Sequence, residues 1–342
     1  MRGLGWIGLV LLLGGLLAGC ERAQIHHSRF FTLGTLVDAS VYTADRAQAQ
    51  RAFAVIAEEL DELHRTWHAW EAGPLATLNA QLARGESAPL RAEMYAPLQQ
   101  AQRLYQDSQG LFNPAMGRLI AMWGFHGDEP QGPPPAPEAI VHLLAQQPNM
   151  AQLDLTATQV RTDNPAIQLD LGAFIKGYGI DRIIERLQAE GIADAIVNAG
   201  GDLRAIGQPG QRPWRIGIRH PSGQGVIAGL EIARDESVFT SGDYERFYEY
   251  QGQRYHHLLD PRTGYPADSL RSVTVLHRQG ALADAASTAL FIAGPAQWPE
   301  VARAMGVDAV MLIDKDEVIY LTQAMAQRLH FLREPTKVVI ID

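Results

Sequence analysis

The chain opens with an apolar run from Leu4 to Leu17 behind the basic Arg2, and the run ends in the small-residue junction Leu17-Ala18-Gly19-Cys20. A bilayer-spanning helix needs roughly 20 apolar residues, so this shorter run has the layout of a cleaved secretion signal. From Phe30 to Tyr42 the pattern alternates, which predicts a strand pair or a bent strand around Gly34. Residues 45–66 bring Ala, Leu and Ile back at helical spacing between charged residues, an amphipathic helix. A second helix is predicted from Ala92 to Ser108, stopping before Gly110.

Residues 127–137 contain five prolines, which fix φ and remove backbone donors, so this stretch is a surface loop. Beyond it the pattern predicts a helix at 137–146, strands at 151–155 and 166–171, and a helix near 176–190. Strands follow near 193–198, 213–219, 227–233 and 272–277, and a helix–strand–helix–strand series closes the chain. Strands and helices without a regular βαβ rhythm predict an α+β fold, with mixed or antiparallel sheets and flanking helices. The expected division is a signal at 1–19, a polar tether at 20–29 and one folded domain at 30–342, built as a single body or as two intertwined lobes.

Cys20 is the only cysteine in 342 residues. Internal disulfides, thiolate zinc sites and a cysteine nucleophile in the domain are therefore excluded. The junction before Cys20 is similar to the lipobox of bacterial lipoproteins, in which that cysteine carries the lipid. The expected location is the periplasmic face of a bacterial membrane, anchored at Cys20; the competing reading is an uncleaved N-terminal anchor. Removing the signal, whose only charge is Arg2, takes the net charge from −9 to −9 − 1 = −10. An acidic chain without a basic stripe is a poor nucleic-acid partner, and an anionic ligand would need local cations or a metal.

Four segments could carry chemistry. In "QLDLGAFIKGYGIDRII" (168–184) a strand is expected to end at Asp170, turn at Gly172 and enter a helix near Lys176. Free backbone N–H groups and a lysine would then meet in one place, as an anionic oxygen requires. In "VNAGGDLRAIG" (197–207), paired glycines let the backbone approach a ligand or turn tightly, and Asp202 could bind a ligand or cap the turn. "FTSGDYERFYEYQGQRYHHLLDPRTGYP" (239–266) joins an expected turn at Thr240-Ser241-Gly242 to His256 and His257. Adjacent strand residues point to opposite faces, so at most one of these histidines serves any given site. In "ALADAASTALFIAG" (281–294), Asp284, Ser287 and Thr288 lie on one helical face, offering oxygens to a hard cation or caps to the helix.

Taken in order, these segments resemble the ApbE family of FAD:protein FMN transferases from about Phe31 to Tyr320. The resemblance also takes in Leu33-Gly34-Thr35, "LATLN" (75–79), "SQGLFNPAMGRLIAMWGF" (108–125), "HHLLDPRTGYP" (256–266) and "ADAASTALF" (283–291). It implies an enzyme that takes FAD as substrate, moves FMN onto a Thr or Ser hydroxyl of a partner flavoprotein in a membrane redox complex, and releases AMP, with Mg²⁺ required. It further implies Asp284, Thr288, Ser287 and the Ala173 carbonyl at the metal, with Lys176 and Asp170 on FAD. Leu33, Trp67, Leu111, Phe112, Asn113 and Leu258 would enclose the nucleotide, and His257 would move a proton or orient a phosphate, alongside Lys176 and Asp284 in catalysis. Two rival functions are an Mg²⁺-dependent FAD pyrophosphatase and a flavin-binding lipoprotein without chemistry. Asn113 departs from the family's usual Asp, Leu33 from its usual Met, and Trp67 from an aromatic that is commonly Tyr.

Overall fold

The computed structural model describes residues 22–341 except Leu33, Asp128 and Gln224. The signal segment, Cys20 and Leu33 therefore lie outside the described residues. The centre of the fold is a nine-stranded sheet whose spatial order follows the chain. Its strands are β1 (Gln24–Thr32), β2 (Thr35–Thr43), β3 (Ala195–Ala199), β4 (Asp202–Ile206), β5 (Glu236–Gly242), β6 (Leu270–His277), β7 (Ala309–Asp314), β8 (Val318–Thr322) and β9 (Lys337–Ile341). All neighbours are antiparallel except β8 and β9, which are parallel.

Helices α1 (Arg46–Trp67), α2 (Pro74–Leu82), α3 (Ala92–Asp107), α4 (Gly117–Met122), α5 (Pro137–Ala145) and α6 (Ile175–Ala189) fall between β2 and β3. Helix α7 (Gly280–Met305) joins β6 to β7, and the short α8 (Gln323–Ala326) follows β8. Asp45 starts α1 by accepting the Ala47 N–H at 2.8 Å, and Ala49, Ala52, Ile56, Leu60, Leu63 and Trp67 are buried along one stripe.

The sheet is covered on both faces. Val37, Val197, Phe239, Val273 and Leu312 enter the main core beneath α1, α6 and α7. Val238, Leu276, Met311 and Ile313 point the other way, onto a three-stranded sheet formed by Trp214–Arg219, Val226–Ile232 and His330–Phe331. Each such aliphatic side chain contributes about 1.5–3 kcal/mol by leaving water. Double-sided burial also explains why these strands read as nearly continuous apolar runs. A third cluster seats the hairpin Phe247–Tyr250/Gln253–His256 against Trp123 and Phe125, with the Trp123 indole donating to the Gly264 carbonyl at 2.8 Å.

Three local expectations are corrected. Strand β1 starts at Gln24, inside the stretch read as a tether. Residues 166–171 form no strand; the chain is held by a single bridge at Gln168 and by the Asn79 amide, which both donates to and accepts from Leu169 at 2.8 Å. A side chain thus completes one side of the pairing, while the backbone of residues 114–117 bonds Gln168 and Asp170. Thr240-Ser241-Gly242 is not a turn but the end of β5, paired with β6.

Candidate active site

Helices α6 and α7 pack with their N-termini together, and the approach is so close that a Cβ on Gly177 would collide with the Gly280 carbonyl. Each helix then supplies a carboxylate to the other's free N–H groups. Asp284 of α7 accepts from Gly177 N–H at 3.0 Å. Asp181 of α6 accepts from Gly280 N–H at 2.8 Å and Ala281 N–H at 3.0 Å. Carboxylates at these positions answer both the orphan donors and the positive ends of the helix dipoles. In an uninterrupted helix the Gly177 N–H would bond the Ala173 carbonyl. Its donation to Asp284 leaves that carbonyl without its intrahelical partner.

The turn between β3 and β4 brings in the next carboxylate. Gly200 sits at φ 68° against Thr35 of the first hairpin, so a left-handed turn that glycine adopts without steric cost delivers Asp202 to the mouth of the two helices. Asp202 accepts from Thr240 N–H at 2.8 Å and is ion-paired with Lys176. Burial alone would lower the Lys176 pKa, but Asp202 and then Asp284 raise it, so the ammonium stays charged. Burial raises the Asp284 carboxyl well above the ordinary carboxylate range; Lys176 opposes this and Asp202 adds to it.

Ser241 at the end of β5 ties this corner to α7. The Ser287 hydroxyl donates to the Asp284 carbonyl at 2.9 Å. It must therefore accept from the Ser241 hydroxyl, 2.8 Å away. Ser241 also lies 3.2 Å from Thr288 Oγ1. On the outer side stand Tyr244 and Glu245, both raised in pKa chiefly by burial, and Arg219 lies 3.3 Å from Glu245.

The two histidines hold opposite tautomers. His256 is buried; its Nε2 faces the Ala267 carbonyl at 2.8 Å and must carry the proton, while Nδ1 accepts from Leu258 N–H at 3.3 Å. His257 places Nδ1 3.1 Å from the Arg246 carbonyl. That acceptor fixes the proton on Nδ1 and leaves a lone pair on Nε2. Desolvation and then the Arg246 cation hold His257 well below the ordinary histidine pKa, so the ring is neutral at pH 7.

The remaining sequence-selected residues occupy different settings. Trp67, Leu111, Phe112 and Leu258 are buried in the main core. Asn113 donates to the Pro148 carbonyl at 3.0 Å and accepts from Ala115 N–H at 3.2 Å. Asp170 accepts from the Trp70 indole at 3.0 Å and Gly172 N–H at 2.9 Å. Two surface grooves lie away from the Lys176–Asp284 corner: one of about 360 Å³ beside Ile25 and Trp214, the other of about 250 Å³ beside Asn79 and Arg118. Charge, rather than cavity volume, marks the candidate site.

Residues 33–311 match the model of the ApbE family. The chain belongs to the ApbE family. A Rhodobacter capsulatus relative named FAD:protein FMN transferase is 41% identical over 98% of this chain, which spans 65% of that relative's length. A Treponema pallidum relative of the same name is 33% identical, with 89% of each chain covered. Among solved structures, the ApbE protein of Thermotoga maritima superimposes with a TM-score of 0.82 at 30% identity, covering 91% of this chain and all of that one. The apo flavinyl transferase ApbE of Pseudomonas stutzeri gives 0.79 at 27% identity, covering 90% and 97%.

Within this ApbE fold, sequence reasoning selected Lys176, Asp284 and Thr288, and the structure brings them together. It weighed Asp202 without choosing it, named Ser241 only as part of a turn, and missed Tyr244, Glu245 and the capping role of Asp181. Ser241, Tyr244 and Glu245 share a signal, since "TSGDYERF" (240–247) is among the segments that carry the family resemblance, and Asp181 ends another of them, "DLGAFIKGYGID" (170–181).

Proposed function

We propose that the protein is an FAD:protein FMN transferase that moves FMN from FAD to a Thr or Ser hydroxyl of a partner flavoprotein and releases AMP. One arrangement carries the reading: the Lys176 ammonium held by Asp202 beside the joined N-termini of α6 and α7, in a chain of the ApbE family. Backbone N–H groups, helix dipoles and a fixed cation together suit the oxygens of a diphosphate.

A divalent cation fits this corner. Among the described residues no group of three or more His, Cys, Asp or Glu side chains gathers as a metal site. Ligation would therefore rest on the Asp284 carboxylate with hydroxyl and carbonyl oxygens, and Thr288 and Ala173 supply those. That all-oxygen set suits Mg²⁺. Burial raises the Asp284 carboxyl, and a cation bound beside it would favour the carboxylate form. When bound, Mg²⁺ would neutralise diphosphate charge and polarise the phosphorus under attack.

The chain's own residues supply position and proton transfer. Lys176 and the helix N-termini orient the diphosphate, and Asp170, Asn113 and the apolar side chains of Trp67, Leu111, Phe112 and Leu258 shape the surrounding nucleotide site. The acceptor hydroxyl oxygen attacks the FMN-side phosphorus, the bond to the AMP oxygen breaks, and AMP leaves with the electron pair. His257 Nε2 takes the hydroxyl proton, since its lone pair is free. We place this enzyme on the periplasmic face of a membrane through a lipid on Cys20, acting on a flavoprotein of a membrane redox complex.

The test is incubation with FAD, Mg²⁺ and an acceptor flavoprotein, followed by a denaturing gel. A covalently fluorescent acceptor band with stoichiometric AMP supports the transferase; free FMN without a band shows a pyrophosphatase instead.

A further inference from the structure

The strand registers set the two ends of the sheet apart. Gln24 pairs with Thr43 at one end of the first hairpin and Thr32 with Thr35 at the other. Asp202 aligns with Ala199, which aligns with Val37 and through it with Phe30. The catalytic corner therefore lies six residues along β1 from Gln24, about 20 Å at the usual strand rise. From Cys20 to Gln24 the chain reaches at most about 14 Å. If Cys20 bears a lipid, the Gln24 end of the sheet is held near the bilayer and the catalytic end points away from it.

The surface at the Gln24 end suits that setting. Its groove is lined by Ile25, Tyr42, Arg212, Pro213, Trp214 and Arg215, a mixture of apolar, aromatic and cationic groups such as interfacial surfaces use. Among the described residues Arg212 has no ion-pair partner, nor do Arg22 and Arg46 on the same end. Arg215 has only a solvent-exposed contact with Glu231 at 3.3 Å. The neighbouring acids are engaged: Asp45 caps α1 and faces Arg51 at 3.7 Å, and Asp194 accepts from Gln208 N–H at 2.7 Å. Counting Arg22, Arg46, Arg51, Arg212 and Arg215 against Asp45, Asp194 and Glu231, these groups carry a net charge of 5 − 3 = +2 in a chain of net charge −9.

We propose that the groove formed by Ile25, Tyr42 and residues 209–215 docks on the surface of an anionic phospholipid bilayer, turning the catalytic corner toward the aqueous compartment. The proposal rests on lipidation of Cys20. It adds a second, electrostatic signal to a lipid anchor.

The mature chain, purified with its lipid, is reconstituted into vesicles of phosphatidylcholine alone or of phosphatidylcholine mixed with the anionic phosphatidylglycerol. Amide hydrogen exchange is then followed. Segment 209–215 is expected to exchange at least about five-fold more slowly on the anionic vesicles, the worth of one arginine near such a surface. Segment 239–247 at the catalytic end is expected to exchange equally on both. Arg212→Glu combined with Arg215→Glu is expected to abolish the difference while leaving transfer to a soluble acceptor unchanged. Equal exchange of 209–215 on the two vesicles, or protection at 239–247 instead, overturns the proposal. Mass spectrometry of the N-terminal peptide separates the two premises: a lipidated Cys20 without protection sinks the docking alone, and an unmodified Cys20 sinks the anchor from which it follows.

Discussion

Asp181 and Asp284 occupy mirrored positions, each on one helix and each accepting backbone N–H groups from the start of the other, yet they live in different electrostatic worlds. Asp181 is closed in by two N–H donors and by Arg204 at 2.6 Å, and Arg204 is held in turn by both oxygens of Asp235 at 2.8 and 2.9 Å. Asp284 takes a single backbone donor, stands near Lys176 and feels the second carboxylate, Asp202. The same side chain in the same local geometry is thus a finished structural bond in one place and an unfinished one in the other. Unfinished charge at a helix mouth is what a diphosphate with its cation can complete.

Substitution breaks the comparison most sharply. Asp284→Ala is expected to abolish flavin transfer, by about 10³-fold or more, as loss of a transition-state charge partner does. Its melting temperature is expected to change little. Asp181→Ala is expected to do the reverse, costing about 3–5 kcal/mol of stability because Arg204 is left buried with half its partners. Denaturant unfolding of both variants beside gel-based transfer checks the pair. If both lose stability alike and Asp284→Ala retains transfer, the distinction fails.

The two histidines give a second version of the same contrast. His257→Ala is expected to lower kcat by about 10²–10⁴-fold with KM for FAD nearly unchanged, the range for loss of a positioned base. An unchanged turnover number removes the role. His256 is expected to act on stability alone. Burial pushes its pKa down to about 4, below the value near 6.5 of an unfolded chain, so the unfolded state binds the proton more readily. Its contribution is whole above pH 6.5 and is lost as pH falls toward 4, up to about 3 kcal/mol. Melting curves across that window are expected to flatten in His256→Gln relative to the parent.

The smallest effect concerns Asn113. Both ends of its amide are used, one on Pro148 and one on Ala115, and a carboxylate could keep only the accepting bond. Asn113→Asp is therefore expected to cost about 1–2 kcal/mol, read by denaturant unfolding, through the unsatisfied Pro148 carbonyl and the added charge. This chain has fitted Asn113 into its loop through both ends of the amide.

Helical periodicity announced α1, α3 and α6 within a residue or two, because each buries one stripe against a single core. The strands were harder. Strand β4, buried along its whole length, shows no alternation to read, and 166–171 imitates a strand although its partners are the Asn79 side chain and the irregular backbone of 114–117. At the site, Lys176 and Asp284 were legible because each stands in a compact run of special residues. Ser241 was named within a supposed turn, since nothing near it in sequence reveals that β6 pairs with it.

Alone, the sequence determined the amphipathic helices and the ordered segments that mark an ApbE chain, all features written over short windows. Tertiary structure decided which carboxylate is satisfied and which is open, and which histidine keeps a free nitrogen. Those outcomes depend on partners far away in the chain: Asp202 lies 26 residues from Lys176, and Asp284 lies 107 from Gly177. A residue's type fixes what bonds it can make, but only the folded chain fixes which of them are already made.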